Sequence, residues 1–512
     1  MGCCHSMTRR SFVGLTAAGL AAAGVIAGES LGESTIPSPT LDWDPDRPYN
    51  LQRKPLVVQP LLRHEIEKPK PKRSWRNWGG VHTEEDAAAE MKRIAAELQQ
   101  LGRKADFPLQ ILPLARATND AEGARVREES PADVMILYAA GANWLDPCIT
   151  PRRHHIIFVR HRSGPVYDWY ENASNRFLRV PGKEFEYDQY RNFAGVGVDD
   201  VVVDDYGEIL WRLRALAGVK NFLGSRAVVV GKASGKGCPK APEVCRDKYR
   251  MEIVEVSYAE LERRIKAAWA DGALRAQAEA CAKRYLGQSG IRLETQPHFV
   301  VNAVYLYGIF KQLLDEHDAQ SFSISSCMST VMPVAETTAC LALSMLQDEG
   351  RVAFCEADFV SHPAGVLLEN IAGRPVFMHN PTFPHQGVVT CAHCTCPRRL
   401  DGQNYDPARI RTHYESDFGA SPKVEFPQGR PLTVVNPDAA QVRWLGFKGR
   451  VLDSPDFSIC RTQQDLKIEG DWKRLAREIR GSHWMMTCGD YLAEMGYAAA
   501  KLGLDWLNIS EG

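Results

Sequence analysis

The sequence predicts an α/β protein with two open, Rossmann-like α/β domains, followed by a β-rich C-terminal domain that is either a small barrel or a sandwich. Two observations carry this prediction. Short apolar runs such as ADVMILYAAGA and HHIIFVRH alternate with amphipathic helical stretches up to about residue 400, which is typical of parallel sheets covered by helices. Beyond that point, short β-like runs are separated by turns at Gly, Pro and Asn-Pro, and this pattern indicates antiparallel β structure.

The length and the charge of the chain limit the classes of function. A chain of 512 residues is too long for a single core and predicts two or three domains. The hydrophobic content of 44% and charged content of 24% are typical of soluble globular proteins. With 62 basic and 63 acidic residues, the chain has no charge excess that would attract nucleic acid or an anionic lipid surface. We therefore predict no nucleic-acid partner.

The first 28 residues have the pattern of an export signal. Arg9 and Arg10 directly precede an apolar stretch rich in Ala and Gly, which is too short and too weakly hydrophobic for a membrane span. This predicts a twin-arginine signal peptide over 1–28 and a periplasmic or exported protein, by a route that carries folded chains. The alternative is an apolar N-terminal helix that follows two arginines by chance. No later run approaches a span, so we predict no stable membrane span after signal removal.

The rest of the chain divides by composition into four segments. TEEDAAAEMKRIAAELQQLGRK is predicted to be a helix that begins after Thr83, because a capping residue is followed by acids and then by apolar residues at helical spacing. The predicted segments are a Pro-rich linker or surface strap over 29–82, an N-terminal α/β domain over 83–224, a second α/β domain carrying an acid motif over 225–388, and the β-rich domain with a final helix over 389–512.

The loop GKASGKG at 231–237 follows a predicted strand. A phosphate-binding function is conceivable there, because loops before helices bind anions. The glycine spacing fits neither the Walker motif nor the dinucleotide motif. We therefore expect a flexible strand-to-helix loop.

Cysteines are concentrated at 391–396, where Cys391, Cys394 and Cys396 surround His393. Structural zinc sites usually take ligand pairs from separated segments, and no second C-x-x-C pair is present. A disulfide, a redox centre and buried unpaired thiols are the other interpretations. Removal of the predicted signal leaves 12 of the 14 cysteines, an even number that permits disulfides without requiring them.

A hard-metal site is the alternative use of this region. GRVAFCEAD is predicted to be a strand whose end places Glu356 and Asp358 on one side, at the sheet edge where open α/β folds bind ligands. GVVTCAHC is a second predicted strand carrying His393, and GSHWMMTCGD supplies His483 before a third. Carboxylate and imidazole ligands suit Mn²⁺, Fe²⁺, Co²⁺ or Zn²⁺ better than Ca²⁺. Taken singly, each of these residues could equally be an ordinary hydrogen-bonded acid or histidine.

The order of these motifs resembles that of the L-fucose/L-arabinose isomerase superfamily. The resemblance covers about residues 130 to 505, and its specific motifs lie at about 320–400 and 480–505. It is carried by LALSMLQDEGRVAFCEADF, LLENIAGRPVFMHNPTF, VVTCAHCTCP, PKVEFPQGRPLTVV and GSHWMMTCGDYLAEMGYAAAKLGLD.

The resemblance implies two α/β domains followed by a β-barrel domain, and a homo-oligomer that is a trimer or a hexamer. It implies an enzyme that interconverts aldoses and ketoses, with a sugar or polyol as substrate and Mn²⁺ as the leading metal, Co²⁺, Fe²⁺ and Zn²⁺ being alternatives. The implied ligands are Glu356, His393 and His483, with Asp358 as alternative ligand, neighbour or proton shuttle. A base would move a proton between adjacent carbons through an enediol.

One part of the family pattern is missing. The resemblance implies a further acid about two dozen residues before the CEAD motif, but the aligned positions near Cys327 to Ser329 carry no carboxylate. Glu336 is the nearest acid in the sequence and is the third candidate catalytic residue beside Glu356 and Asp358. The departure leaves two alternatives open: another proton abstraction on a sugar, such as epimerisation or elimination, and a non-catalytic carbohydrate-binding protein on the same fold.

Overall fold

A computed structural model describes residues 37–141, 145–167 and 196–511. The predicted signal over 1–28 and the first part of the predicted linker lie outside the described residues. The first sheet has six described strands, all parallel, in the order β2-β1-β4-β5-β6, with β3 also pairing with β1. These strands are β1 (Leu56–Arg63), β2 (Leu109–Ile111), β3 (Ala115–Ala117), β4 (Val134–Ala139), β5 (His154–Val159) and β6 (Val201–Val203).

Strand β1 corrects the prediction of a linker or surface strap for part of 29–82. Residues Leu56–Arg63 are almost entirely buried and pair with β4 on one side and with β2 and β3 on the other. Pro60 argues against a central strand, because proline donates no ladder hydrogen bond. It lies between the residues that pair with β2 and those that pair with β3, so its missing N–H interrupts neither pairing.

The second sheet is parallel and four-stranded, in the order β11-β10-β7-β8. Val230 pairs with both Val256 and Ile324, and Ile324 also pairs with Cys355, so all four strands end at the same edge. The strands are β7 (Arg226–Val230), β8 (Glu252–Val256), β10 (Ser321–Ile324) and β11 (Val352–Cys355); a separate three-stranded sheet is formed by β9 (Ile291–Glu294), β14 (Ala408–His413) and β15 (Phe418–Val424).

A closed six-stranded antiparallel barrel occupies the C-terminal region, so the β-rich segment is a barrel and not a sandwich. The strand order is β16-β19-β12-β13-β18-β17, and pairing of β16 with β17 closes it. Strand β20 (Asp505–Asn508) adds to β17 in parallel. The barrel strands are β12 (Phe377–Pro381), β13 (Val388–His393), β16 (Pro431–Pro437), β17 (Arg443–Asp453), β18 (Thr462–Glu469) and β19 (Trp484–Cys488).

Helices cover the parallel sheets. The predicted helix after Thr83 is confirmed, with the Thr83 hydroxyl accepting from Asp86 N–H and the Asp86 carboxylate accepting from Thr83 N–H. The predicted final helix is also confirmed. The described helices are Glu84–Lys104, Asp120–Glu129, Tyr206–Phe222, Ala241–Tyr249, Tyr258–Ala270, Gly272–Leu286, Pro297–Glu316, Met332–Ala335, Cys340–Glu349, His362–Ala372, Trp472–Glu478 and Leu492–Lys501.

The second sheet is buried on both faces and separates two hydrophobic cores. Ala227 and Val229 of β7 belong to the core of the first sheet, while Val228 and Val230 belong to a core shared with the barrel. Successive strand residues point to opposite faces, so one short apolar strand serves both cores. Among the described residues, no single helix has the length and apolar character for a membrane crossing. One bent pair meets these criteria only when its two parts are taken together. The parts are Cys327–Ala335, in which a π-helical turn at Cys327–Val331 continues into the helix Met332–Ala335, and Cys340–Glu349.

Candidate metal centre

The centre is built on a left-handed turn at the end of β11. Glu356 has φ 62° and Ala357 has φ 46°, a conformation that costs about 1 kcal/mol for each residue with a Cβ. Ala357 N–H donates to the Ser323 hydroxyl on β10 at 3.1 Å, and that hydroxyl donates to Phe354 O at 3.1 Å. A buried serine on the neighbouring strand therefore holds the turn.

This turn changes the reason why the two acids lie together. The strand ends at Cys355, so the rule that strand residues two apart share a face does not apply to Glu356 and Asp358. Both carboxylates nevertheless face His483: Asp358 Oδ2 lies 2.7 Å from His483 Nδ1, and Glu356 Oε2 lies 3.5 Å from His483 Nε2. The left-handed turn, and not strand alternation, brings them to one imidazole.

Asp358 uses both carboxylate oxygens. Its Oδ1 accepts from the backbone N–H groups of Lys236 at 3.0 Å and Val360 at 3.1 Å, and its Oδ2 accepts from His483 Nδ1 and from the Ser361 hydroxyl at 3.3 Å. The side chain is 2% exposed. These contacts favour a positioning role, because direct ligation or proton transfer by Asp358 would break them.

Both histidines present Nε2 to Glu356. His393 is the last residue of β13, and its Nδ1 is hydrogen-bonded to the Thr395 hydroxyl at 3.1 Å. His393 Nε2 lies 3.5 Å from Glu356 Oε1. His483 precedes β19, and its Nδ1 donates to Asp358. The prediction that His393 lies on a strand and the prediction that His483 precedes one are therefore both confirmed.

The electrostatics of the centre follow from burial and from these contacts. Burial alone would raise the pKa of Glu356, but hydrogen bonds from His393 and His483 hold that pKa well below its ordinary value. Burial likewise acts to raise the pKa of Asp358, and the hydrogen bond from His483 lowers it. The pKa of His483 is raised to about 9, because its bonds to Asp358 and Glu356 outweigh burial.

The residues present fit a divalent ion. One ligand atom each from Glu356, His393 and His483 lie within 4.8 Å of one another. The Nδ1 atoms of both imidazoles are occupied, which leaves Nε2 for a metal. His483 Nε2 is buried, and its one partner among the described residues is Glu356 Oε2 at the long distance of 3.5 Å. Two imidazoles and one carboxylate can hold Mn²⁺, Fe²⁺, Co²⁺ or Zn²⁺ and keep positions open for a substrate.

A lysine that no sequence motif indicates completes the surroundings. The loop 231–237 pairs with the acid turn through Ser234 and Asp358, and Lys236 Nζ lies 3.6 Å from Glu356 Oε2. The loop matches no ligand-binding pattern, and its contact is with residues more than a hundred positions later. Both the loop and the acid turn follow strands of one predicted parallel sheet. This shared position was the feature of the sequence that could have indicated their contact.

Two other expected positions lie outside the three-ligand group. Glu336 is exposed, with φ 46°, at the end of the short helix Met332–Ala335. Cys327 is buried, and burial raises the pKa of its thiol to about 11, so it stays protonated at neutral pH. The structure thus gathers Glu356, His393, His483 and the adjoining Asp358, and does not bring Glu336 into their group.

The cysteine run contributes thiols beside the centre. No disulfide joins any of the twelve cysteines in the described ranges, and Cys391, Cys394 and Cys396 are buried. The pKa of the Cys394 thiol lies well below its ordinary value, because Cys340, Cys460 and, more weakly, His413 hydrogen-bond to it. Within the described part of the chain, the three-ligand group takes His393 from this run and none of its cysteines.

Neither a protein-family model nor a curated protein matches the chain.

Proposed function

We propose that the protein is an exported, divalent-metal-dependent, carbohydrate-active enzyme, and that aldose–ketose isomerisation by enediol proton transfer is its leading reaction. The observation that carries the proposal is the Glu356, His393 and His483 group at the carboxyl edge of a parallel sheet, where such folds bind ligands. The motif resemblance supplies the reaction class. It also extends the proposal to two Rossmann-like domains before the barrel, to a sugar or polyol substrate, and to a homotrimer or homohexamer.

Each side chain has a distinct part in this proposal. Glu356 would hold the ion through a carboxylate oxygen, and His393 and His483 would hold it through Nε2. Asp358 fixes the orientation and tautomer of His483 through Nδ1. A divalent ion, Mn²⁺ being the leading candidate, supplies Lewis-acid polarisation of a carbonyl and a template for neighbouring hydroxyl groups. Of the three acids predicted to be catalytic, Glu356 combines a position in the centre with 31% side-chain exposure, so we assign the proton transfer to its carboxylate.

Two alternatives to isomerisation follow from the residues at positions Cys327 to Ser329. No carboxylate stands there, and the Cys327 thiol is buried. This absence favours either another proton abstraction on a sugar, such as epimerisation or elimination, or a carbohydrate-binding protein without catalysis.

Metal content is the first test. Protein purified without a histidine tag is expected to bind about one Mn²⁺ or Co²⁺ per chain, measured by mass spectrometry of the metal after dialysis. Glu356→Gln and His393→Ala are each expected to abolish uptake, because each removes a ligand. Glu336→Gln and His385→Ala are the matched controls, since both side chains are exposed and lie outside the group. Normal metal content in either ligand variant would refute the assignment.

Proton abstraction is tested separately with a sugar panel in D₂O. The metal-loaded protein is expected to incorporate deuterium beside the carbonyl of its substrate, which NMR detects without knowledge of the product. Metal binding with sugar affinity but no exchange across the panel would favour the non-catalytic alternative.

A further inference from the structure

The part of the predicted surface strap that follows β1 carries a local excess of positive charge. From position 68 to position 83 the sequence contains no acidic residue. None of the cations in this stretch forms an ion pair with a carboxylate in the part of the chain that the structure describes. Five exposed cations fall within nine positions: Lys68, Lys70, Lys72, Arg73 and Arg76. The balanced charge of the whole chain therefore conceals one basic segment, which we call the basic loop and define as residues 68–80.

The basic loop lies at the carboxyl edge of the first parallel sheet. It follows β1, which pairs in parallel with β4, and β4 pairs in parallel with β5. Gly80 N–H donates to Val166 O at 2.7 Å, which joins the end of the loop to the segment 160–167 that follows β5. Arg162 of that segment is also exposed, and no carboxylate of the described residues pairs with it. Open α/β sheets bind ligands at this edge.

Two tryptophans lie among these cations. The Arg76 guanidinium lies over the Trp75 ring, 4.7 Å from its centroid. Trp78 is 74% exposed, so most of its apolar ring is in water, where a partner that covers it would gain free energy. Cations beside exposed rings bind linear polyanions, because the cations pair with the charges while the rings pack on the flat faces of the units.

The conformation of the basic loop favours one class of polyanion. The loop contains neither helix nor strand, and Pro69 and Pro71 prevent a helix there. The loop therefore lacks the amphipathic helix with which peripheral proteins insert an apolar face into an anionic membrane. Nucleic acid is not expected at the destination of the predicted export signal. An acidic polysaccharide offers carboxylates that repeat along a linear chain, and its sugar rings have apolar faces that an indole covers.

We propose that the basic loop binds an acidic polysaccharide, whose carboxylates pair with the lysine and arginine side chains while a sugar ring packs against Trp78. The inference goes beyond the proposed function, because it needs neither the metal ion nor its reaction. The polymer is a second ligand that holds the protein at its surface, and it is not the substrate of the metal centre.

Polygalacturonate is the probe, and dextran is the uncharged polysaccharide for comparison. Binding of the purified full chain to each immobilised polymer is measured by biolayer interferometry. EDTA is present, so that no divalent ion bridges the protein and the polymer. The protein is expected to bind polygalacturonate and not dextran, and its affinity is expected to fall as salt is added, because exposed charge pairs are screened.

Two triple variants with the same change of charge assign the binding to the loop. Replacing the three loop lysines with Gln is expected to weaken polygalacturonate binding about tenfold, the combined effect of three exposed ion pairs. Replacing three exposed lysines of helices elsewhere is the matched control and is expected to leave the affinity unchanged. The loop variant is Lys68→Gln, Lys70→Gln and Lys72→Gln, and the control is Lys92→Gln, Lys104→Gln and Lys283→Gln.

The aromatic contact is tested separately. Trp78→Ala is expected to weaken binding about fivefold and to leave the salt dependence unchanged, because the ring carries no charge. Phe383→Ala is the matched control, since Phe383 is a 69% exposed aromatic residue between β12 and β13. Melting temperatures of all variants distinguish a folding defect from lost recognition.

The outcomes separate this inference from the proposed function. The inference is overturned by absence of polygalacturonate binding at low salt, by equal binding to dextran, or by equal effects of the two lysine triples. Tighter binding to phosphatidylglycerol vesicles or to single-stranded DNA than to polygalacturonate would also overturn it, because the loop would then serve another class of partner. A protein that binds the polymer but takes up no divalent ion contradicts the proposed function alone.

Discussion

Asp358 is the residue on which the order of the centre depends, because it joins the acid turn, the 231–237 loop and His483. Its Oδ1 holds the backbone of Lys236 and its Oδ2 holds His483 Nδ1. A carboxylate in this position fixes the ring orientation of a ligating histidine and increases its basicity. In the proposed metal site, Asp358 would therefore affect the ion without contacting it.

Asp358→Asn is expected to lower Mn²⁺ affinity by about 10- to 100-fold, the usual effect of losing such a support. The amide keeps the shape of the side chain but loses its charge. Calorimetric titration of metal-free protein measures the change. Asp348→Asn is the control, because Asp348 is also fully buried and its Oδ1 accepts from Arg399 N–H. Unchanged affinity in Asp358→Asn would show that His483 needs no carboxylate support.

The titration of His483 predicts how the metal-free fold responds to pH. Its pKa is raised from 6.5 to about 9 in the folded protein, so its ion pairs stabilise the fold fully below pH 6.5 and are lost as pH rises through 9. The loss is on the order of 3 kcal/mol. The sign is opposite for Glu356 and Asp358: their pKa values are lowered, so their contribution is lost at acidic pH.

Urea unfolding of EDTA-treated protein between pH 6 and 9.5 tests this dependence. The free energy of unfolding is expected to fall across that range in the wild type, and His483→Gln is expected to flatten the decline. A variant with the same slope as the wild type would mean that His483 is not protonated in the metal-free fold.

At the scale of elements, the 231–237 loop packs so closely against the start of the helix Ala241–Tyr249 that a methyl group on Gly235 has no room. A Cβ on Gly235 would lie 2.6 Å from Cys238 O and 2.7 Å from the Ala241 Cβ. Gly235 therefore permits the tight packing of the loop against this helix, and the next residue, Lys236, donates its N–H to Asp358.

Gly235→Ala is expected to cost about 1–3 kcal/mol of unfolding free energy, the usual range for overpacking, and to weaken Mn²⁺ binding because the loop is displaced from Asp358. Thermal unfolding and metal titration measure the two effects. Gly272→Ala is expected to be neutral, since no atom lies within 4 Å of a Cβ there. If both variants behave alike, the loop is not packed as described.

Local signals in the sequence predict several of these elements, and contacts across the chain explain the rest. Thr83 with Asp86 is a capping pattern within one turn, so the start of its helix could be predicted. His393 and His483 lie beside strands with clear apolar patterns. Strand β1 could not be predicted, because its sequence contains Pro60. Whether the strand tolerates this proline depends on where β2 and β3 pair with it.

The acid turn and Lys236 show the same limit within the site. The turn departs from strand geometry at Glu356, and the support for it comes from Ser323 on another strand. The loop of Lys236 meets Asp358 across 122 residues. Neither contact joins residues that are close in the sequence, so no motif of fixed spacing indicates it.

At the scale of the whole molecule, the predicted N-terminal signal leads to a test of the proposed export. Replacing Arg9 and Arg10 with Lys is expected to leave the protein in the cytoplasm, because the export machinery recognises the twin-arginine pair. Fractionation of bacterial cells followed by immunoblotting measures the distribution. Replacing Lys68 and Arg73, which lie beyond the predicted signal, is the control. Undiminished periplasmic protein in the Arg9 and Arg10 variant would refute this route.

The barrel's closure has a consequence for when the centre can form during synthesis. Glu356 and His393 emerge well before His483, which is positioned by β19, and β19 pairs with β12 and β16 on either side. A nascent chain that has not yet added β19 lacks both the second imidazole and the strand that seats it. The three side chains therefore come together only after β19 has been synthesised and has paired with both neighbours. If the proposed metal binding and export after folding both hold, the ion would be the one that the cytoplasm supplies, whatever the metal abundance at the destination.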